Sequence, residues 1–281
     1  MPPSSSGSAA VAAADVAGDP EMEPVRPEFL PDPAASRAEM EAQQREIAAA
    51  ATFSDRDCPE PAALELAESL DLADRADPRP GAPVVVGIDQ AFEDDTAVSA
   101  VVAVQAGRVI EVACGRAELS IPYIPGLLSF REGGPIVAAL AELEADPDLL
   151  LFDGSGRIHY RQAGIATHLG VVYDRPAVGV AKNLLCGRPA RSLSDPLSAG
   201  TRVPIRADES VEAAAGTVIG YAFQSRQFPN PERRHVNPLF VSPGHRVGAQ
   251  TDVDLVAALG AGYKLPEPIR LADQAASDCK D

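Results

Sequence analysis

The sequence predicts an α/β fold in which a central mixed sheet carries helices on both faces. Short apolar runs, such as those at residues 84–88 and 149–152, are typical of buried strands. The first three strand-like runs follow one another closely, whereas stretches with helical spacing separate the later runs. Closely linked strands pair antiparallel and strands joined through a helix pair parallel, so three antiparallel strands should precede parallel ones.

The predicted elements follow one another without an internal repeat. Strands at residues 84–91, 96–105 and 108–117 come first, and Ala106 and Gly107 supply a hairpin turn between the last two. The elements after them are a helix over 134–145, a strand over 148–153, a helix over 161–169, a strand over 176–181, a β-rich stretch over 201–223, a strand ending near Val241 and a last helix over 251–261. This order fits the ribonuclease H-like architecture.

The N-terminal part differs in composition from the rest of the chain. Residues 1–35 are dominated by Ala, Pro, Ser, Gly and acids, which predicts a disordered acidic arm. A helix is expected over about 36–52 and a short helical stretch over 62–74, within a Pro-rich linker. The residues expected on the buried face of the first helix are Met40, Gln44, Ile47 and Ala51. The predicted division is an arm at 1–35, a helical extension and linker at 36–83, a catalytic domain at 84–273 and a tail at 274–281.

The net charge of −17 is unevenly distributed. Residues 1–83 hold 17 acids and 6 arginines, a balance of −11, which leaves −6 for residues 84–281. Arginine supplies 21 cations and lysine only three. This composition indicates a halophilic source, in which a high net charge maintains solubility at high internal salt. Because ionic phosphate contacts weaken steeply with salt, a nuclease in such a cell must rely on metal and shape more than on a basic patch.

The cellular compartment is indicated by the absence of membrane-spanning and secretory patterns and by the spacing of the cysteines. No apolar run reaches the roughly 18 residues that span a membrane, and the first residues lack the pattern of a secretory signal. The four cysteines form no C-x-x-C pair, so reduced thiols are expected. They are Cys58, Cys114, Cys186 and Cys279. We therefore expect a cytoplasmic monomer without a membrane partner.

Two carboxylates, Asp89 and Asp153, each end a short apolar run. Neighbouring strands lie about 5 Å apart, so acids at adjacent strand ends can share one Mg²⁺. This pairing predicts a metal-dependent phosphoryl-transfer enzyme. The alternative is that both acids are merely solvated at strand exits.

Longer segments narrow the choice of family. They are GID at 87–89, PYIPGLLSFRE at 122–132, DGSG at 153–156 continuing through His159 and Arg161 to GIATHLG at 164–170, GVAK at 179–182, VSPGH at 241–245 and LPEPIRLAD at 265–273. In this order the segments resemble endonuclease V, an inosine-directed repair nuclease with the ribonuclease H-like fold, over about residues 36–273. The chain departs from the family pattern at Ser155, where the family usually has His, at Tyr160, where it has Pro, and at residues 90–92. These departures bear on lesion preference, since no carboxylate is lost.

The resemblance assigns the chemistry to five residues. Asp89, Glu132 and Asp153 would bind Mg²⁺, with Mn²⁺ as a possible substitute, and Glu132 would act directly or through water. Lys182 follows the fifth strand and would hold the scissile phosphate. His245 is placed at the active site, where it would orient or deprotonate the attacking water. Each also has a structural reading, such as a helix-start glutamate, a snorkelling lysine or a structural histidine.

The resemblance also implies a wedge and a lesion pocket. Tyr123 lies between two prolines, in a stiff loop of Pro122, Tyr123, Ile124 and Pro125 that could enter a base stack. The residues expected to form the pocket for a flipped hypoxanthine are Leu128, Gly154, Gly156, His159 and Gly164. Arg161 could contact this pocket or the phosphates.

The implied activity is Mg²⁺-dependent nicking of DNA at the second phosphodiester bond 3′ to deoxyinosine, leaving 3′-hydroxyl and 5′-phosphate ends. The partner would be inosine-containing nucleic acid. Three alternatives stay open: an inosine-specific endoribonuclease acting on RNA, a non-catalytic nucleic-acid-binding relative, and another ribonuclease H-like nuclease. The last would not need the segment around Tyr123.

Overall fold

A nine-stranded mixed sheet forms the centre of the fold in the computed structural model, which describes residues 22–280. Its strands are β1 (Val84–Glu93), β2 (Thr96–Gln105), β3 (Arg108–Glu118), β4 (Leu149–Asp153), β5 (Ala177–Ala181), β6 (Arg188–Pro189), β7 (Arg202–Arg206), β8 (Val218–Phe223) and β9 (Leu239–His245). Their order across the sheet is β3-β2-β1-β4-β5-β9-β8-β7-β6. Strands β1, β4 and β5 pair parallel, and the other neighbours pair antiparallel. The predicted mixed sheet is confirmed.

Five α-helices accompany the sheet, and four of them cover its two faces. They are α1 (Arg37–Ala50), α2 (Leu128–Ala141), α3 (Ile165–Tyr173), α4 (Ala249–Ala258) and α5 (Glu267–Asp278). Side chains alternate along a strand, so Val86 and Ile88 of β1 pack with α2 and α3, whereas Val85 packs with α4 and α5. No helix within residues 22–280 is long and apolar enough to cross a membrane.

Helix α1 lies where it was predicted, but the segment after it differs from the prediction. Ser36 and Glu39 form a capping box at its start, and Met40, Gln44 and Ile47 are buried as expected. The helical stretch expected over 62–74 is wrong, because only a 3-10 turn at Pro61–Ala63 forms. The leucines of this stretch occur in two pairs, each two residues apart, and pack against the domain as irregular chain; they are Leu64, Leu66, Leu70 and Leu72.

Two helices differ from the prediction because their signals are weak or contrary. Helix α2 begins at Leu128 rather than Gly134, without a side-chain cap, and contains in its interior the Gly-Gly-Pro sequence that is expected to open it. The buried space at Gly133 is occupied by Pro31. Helix α5 was not predicted at all, so the tail expected at 274–281 is mostly helical as far as Asp278.

Helix α5 also corrects the prediction for the cysteines. Its last turn brings Cys279 to Cys114 of β3, where the two form a disulfide, while Cys58 and Cys186 are free. The expectation of four reduced thiols is therefore wrong for this pair. The two cysteines are 165 residues apart, and only the position of α5 reveals that they meet.

The prediction of a disordered arm over residues 1–35 extends too far along the chain. Residues 1–21 lie outside the described residues. Met22 is buried in the core between α2 and α3, and the Arg26 backbone N–H donates to the carbonyl of Val172. The Phe29 carbonyl accepts from His168, so the segment from Met22 onward is packed on the domain.

Helix α5 approaches β1 so closely that position 87 must be glycine. A Cβ at Gly87 would lie 2.1 Å from the carbonyl carbon and oxygen of Pro268. We therefore expect Gly87→Ala to force the helix away from the strand and to lower the free energy of unfolding by about 1–3 kcal/mol or more. Urea denaturation gives this value. Gly134→Ala is the matched control, because Gly134 is an exposed helical position with nothing within 4 Å of its Cβ and should be neutral or slightly stabilised. Equal stabilities of the two variants would contradict this account of the packing.

Candidate active site

The order of β1, β4 and β5 brings Asp89, Asp153 and Lys182 to one edge of the sheet. Ile88 lies opposite Phe152, and Asp153 lies opposite Val180, so the ends of the three strands are level. By the alternation of side chains, all three groups share the face that carries α4 and α5. The Nζ of Lys182 donates to Oδ2 of Asp153 at 2.6 Å. The predicted meeting of two carboxylates and a lysine is therefore what the fold produces.

The ionised form of Asp89 is disfavoured by its surroundings, as its raised pKa shows. Its side chain is only 7% exposed, and burial together with the nearby Asp153 raises its pKa to about 8. Its Oδ1 accepts from the Gln90 backbone N–H at 2.7 Å. Its buried Oδ2 has no hydrogen-bond partner among residues 22–280. A buried carboxylate oxygen without a donor is a favourable position for a cation.

A further carboxylate, Asp273, reaches the same place from α5. It adds to the negative charge that raises the pKa of Asp89. Burial lowers the pKa of Lys182, but Asp153, with smaller contributions from Asp89 and Asp273, outweighs burial and raises it. Asp273 was absent from the predicted site, although it closes the segment at 265–273 that carries part of the resemblance. The signal was present, but without α5 there was no reason to bring this acid to the strands.

Glu132 lies beside these groups, on the other side of the sheet edge. It is 8% exposed, and burial raises its pKa, while a hydrogen bond from Arg131 at 2.8 Å opposes the shift. The side chain of Gln90 donates to its backbone carbonyl. Within the described chain no three His, Cys, Asp or Glu side chains form a ready-made metal cluster. The carboxylates of Glu132 and Asp153 are instead held by Arg131 and Lys182.

His245 does not join the acids, which corrects its predicted place at the active site. Strand β9 runs antiparallel to β5, so His245 lies opposite Ala177, at the far end of β5 from Lys182. Its Nδ1 accepts from the Thr52 backbone N–H at 3.1 Å, and its Nε2 donates to Asp174 at 3.0 Å. It is buried and links the end of α1 to the end of α3. The structural reading of this histidine is the one that the fold favours.

A cavity of about 270 Å³ opens directly beside the acidic edge. Asp153 and Lys182 belong to its lining, and so do four of the five residues predicted for the pocket. These four are Leu128, Gly154, His159 and Gly164. Ser129, Ser155 and Asn183 also line it and were not predicted. Gly156 does not: it donates to Ser242, and a Cβ there would meet the Pro243 carbonyl oxygen at 2.3 Å, so this glycine serves packing.

The loop that carries Tyr123 borders the same cavity. Tyr123 is 63% exposed, whereas its neighbour Ile124 packs toward Leu127 and Phe130. Gly126 has a φ of +83°, which favours glycine, and its carbonyl accepts from both Gln44 and His159. The other two residues of the predicted wedge, Pro122 and Pro125, are exposed. Tyr123 at the tip of this loop is thus exposed, whereas the residues beneath it are fixed by packing and hydrogen bonds.

His159 and Arg161 are not at an open surface; they support the loop of Tyr123 through contacts with Gly126 and α1. Burial lowers the pKa of His159 to about 4, so its ring is neutral at pH 7. Its Nδ1 accepts from the Arg161 backbone N–H, which leaves Nε2 to donate to Gly126. The Arg161 guanidinium binds Glu41 at 2.7 Å and Gln44 at 3.1 Å. The two alternatives for Arg161 are therefore both replaced by a contact with α1.

Comparison with known proteins decides the family. The endonuclease V family model matches residues 64–274. An endonuclease V from Halobacterium salinarum is 57% identical over 262 residues, which cover 92% of this chain and 99% of the relative. The chain belongs to the endonuclease V family. It is thus an endonuclease, which hydrolyses phosphodiester bonds, and the resemblance found in the sequence is confirmed.

Solved structures of endonuclease V agree with this assignment. The protein from Streptomyces avermitilis has a TM-score of 0.66 and 31% identity, covering 91% of this chain and 96% of that one. Endonuclease V from Ciona intestinalis, in complex with a 24mer DNA containing an inosine followed by a ribo-adenosine, has a TM-score of 0.64 and 25% identity, covering 86% and 97%. The halophilic source expected from the composition fits the Halobacterium relative.

The raised pKa of Asp89 predicts how the metal-free endonuclease responds to pH. An unfolded aspartate loses its proton near pH 4, whereas Asp89 in the folded state keeps it to about pH 8. Stability should therefore fall as pH rises through this interval, by at most about 1.4 kcal/mol per pH unit from this group. Urea denaturation in EDTA across this interval measures it. Asp89→Asn should have a flatter profile, and a profile that is equally steep would exclude Asp89 as the cause.

Proposed function

We propose that this endonuclease nicks DNA at the second phosphodiester bond 3′ to deoxyinosine and requires Mg²⁺, for which Mn²⁺ can substitute. The observation that carries the proposal is that the cavity and the acidic edge share Asp153 and Lys182. A base held in the cavity would place the following phosphates of its own strand at the carboxylates. The inosine-containing DNA bound by the Ciona intestinalis protein supports this choice of substrate.

The residues at the sheet edge fit a divalent metal. Carboxylate oxygens are the donors that Mg²⁺ prefers, and the buried Oδ2 of Asp89 has no hydrogen-bond partner within residues 22–280. Asp89 and Asp153 would hold the ion, with Glu132 joining through a bound water. A bound Mg²⁺ would neutralise phosphate charge and make water a better nucleophile.

The protein's own side chains then perform complementary tasks. Lys182, whose raised pKa keeps it charged, would leave Asp153 for the scissile phosphate and offset the negative charge that develops there. Asp273 stands close enough to Asp89 and Lys182 to influence both pKa values. We assign it the role of a fourth acid of the site. His245 has no part in this scheme.

Recognition of the lesion would depend on extrusion and on the cavity. The exposed Tyr123 would enter the gap in the stack, at a cost that is lowest where pairing is already weak. Hypoxanthine presents an acceptor O6 and a donor N1–H on one edge. Gly154, Ser155 and Asn183 line the space where this edge would be read. Ser155 stands where the family usually has His, so the strength of preference for inosine could differ from that of relatives.

A second candidate is cleavage of inosine in RNA. The strand bound by the Ciona intestinalis protein carries a ribo-adenosine after its inosine. A cleavage assay with labelled inosine strands as DNA and as RNA, with Mg²⁺, Mn²⁺ or EDTA and at low and molar KCl, distinguishes the two. Faster cleavage of RNA would reverse our choice of substrate, and cleavage independent of inosine or of metal would refute the proposal.

We also propose that the enzyme acts as a monomer in the cytoplasm.

Asp153→Asn tests the metal role, because it keeps the shape of the side chain and removes a negative ligand. We expect kcat to fall by about a thousandfold or more while the inosine strand still binds, since the cavity and Tyr123 are unchanged. Single-turnover cleavage and fluorescence anisotropy measure the two effects. Asp195→Asn, at an exposed position outside the site, is the control. Cleavage by Asp153→Asn at the control rate would remove Asp153 from the mechanism.

Tyr123→Ala tests the wedge separately from the chemistry. The metal ligands stay intact, so the variant should lose discrimination between inosine and control strands by about 1–3 kcal/mol, the worth of one stacked aromatic side chain. Salt screens ionic contacts far more than stacking, so the defect should persist in molar KCl. Binding and cleavage of both strands are compared at two salt concentrations. An equal loss of affinity for both strands would make Tyr123 a scaffold residue instead.

A further inference from the structure

A basic segment stands at the same sheet edge as the acids. Residues 224–238 connect β8 to β9, and Phe240 at the start of β9 lies opposite Ala181, the residue before Lys182. The segment contains three arginines, one histidine and a single acid, Glu232. Its formal charge is +2 in a chain whose total is −17. A local excess of positive charge in such an acidic protein would attract a negatively charged ligand.

The arginines of this segment are held in place without being neutralised. The guanidinium carbons of Arg226 and Arg234 lie 5.2 and 4.4 Å from the centre of the Phe228 ring. Among residues 22–280, neither these two nor Arg233 forms an ion pair with an acid. Arg233 and Arg234 are exposed. Their donors are therefore available to phosphate oxygens.

The two ends of the segment are tied together, so it presents a defined surface. The Gln224 side chain donates to the carbonyls of Arg226 and Val236 at 2.7 and 2.8 Å. Gln227 accepts from the backbone N–H groups of Val236 and Phe228. Less conformational freedom then has to be lost on binding than for a free loop.

Lys264 connects this segment to the acids. Its carbonyl accepts from the Ser225 hydroxyl at 2.6 Å. Burial and then the nearby Lys182 lower its pKa, while Asp153 opposes the shift, so its ammonium lies within electrostatic range of both. The backbone of Lys264 thus contacts the start of the segment, while its ammonium lies near Lys182 at the acidic edge. We call Lys264 and the three arginines the cationic track.

The track leads away from the lesion cavity, not into it. The cavity is lined by the first turns of α2 and α3, on one side of the sheet, whereas Lys264 directly precedes α5, which covers the other side. Neither Lys264 nor any residue of 224–238 lines the cavity. Asp153 and Lys182 line the cavity, so the acidic edge adjoins it, whereas residues 224–238 and Lys264 lie beyond that edge. A strand whose base occupies the cavity must cross the acidic edge before it meets the arginines.

We propose that residues 226–235, together with Lys264, bind the phosphates of the substrate strand on the 3′ side of the cut. This rests on the proposed function, because cleavage 3′ to the lesion sets the direction in which the strand leaves the cavity. The ligand is a single-stranded nucleic-acid backbone, which guanidinium groups contact without reading sequence. The aromatic ring of Phe228 holds the guanidinium groups of Arg226 and Arg234 within the segment.

The test uses Arg233→Gln/Arg234→Gln in the full chain. The matched control is Arg75→Gln/Arg79→Gln, which removes the same charge from two exposed arginines near the opposite end of the sheet. Single-stranded inosine substrates have a constant 5′ side and extend either about three or about twelve nucleotides beyond the lesion on the 3′ side. A second pair varies the 5′ side in the same way. KM, kcat and the salt dependence of KM are measured for each.

The wild type and the control should bind the longer 3′ strand better, by roughly tenfold at low salt, and the Arg233/Arg234 variant should lose this gain at unchanged kcat. Its dependence of log KM on log salt should become shallower by about 0.7 for each phosphate contact removed. If the variant keeps the gain, or loses a gain from the 5′ side instead, the inference is overturned. Failure of the wild type to cut any inosine strand would refute the proposed function itself, which is a separate result.

Discussion

The buried carboxylate of Asp89 beside Asp153 is the interaction on which the rest of the site depends. Two acids at adjacent strand ends cannot both be ionised in a partly dry environment without a nearby positive charge. Lys182 binds Asp153, whereas Oδ2 of Asp89 has no hydrogen-bond partner in the part of the chain that the structure describes. Asp273 increases the imbalance further. The arrangement therefore favours a cation at this edge, which is the basis of the metal site proposed above.

The remaining elements hold this arrangement or direct the substrate to it. Gly87 permits α5 to lie against β1, which delivers Asp273 from one side. Helix α1 supports the other side, since Gln44 donates to the Gly126 carbonyl and also binds Arg161. The N-terminal extension thus takes part in positioning the loop of Tyr123. This explains why a segment outside the sheet carries a fully buried glutamine.

Those parts that rest on local pattern could be predicted from the sequence, and those that rest on long-range packing could not. Strand β2 was predicted to the residue, because apolar alternation and a hairpin turn define it locally. The meeting of Asp89 with Asp153 followed from strand ends alone. Helix α5 was not predicted, because Pro266 and Pro268 at its start are more typical of a turn than of a helix. Without it, neither the role of Asp273 nor the pairing of Cys114 with Cys279 could be foreseen.

His245 shows the opposite kind of error. The family resemblance implied a site residue, but the direction of β9 decides which end of the sheet it reaches, and a strand's direction depends on the whole topology. The fold places it against Asp174, where burial lowers its pKa and Asp174 opposes the shift. The residue remains informative about structure, since it joins β9 to the ends of α1 and α3.

Proton release on metal binding tests the central claim most directly. If Asp89 holds a proton until about pH 8 and then binds Mg²⁺ as a carboxylate, adding the metal at pH 7 must expel that proton. Titration of weakly buffered, metal-free protein with MgCl₂, followed by a pH indicator, should show release of close to one proton per chain (about 0.9) in the wild type and almost none in Asp89→Asn. Metal binding by the wild type without proton release, or equal release by Asp89→Asn, would contradict the account.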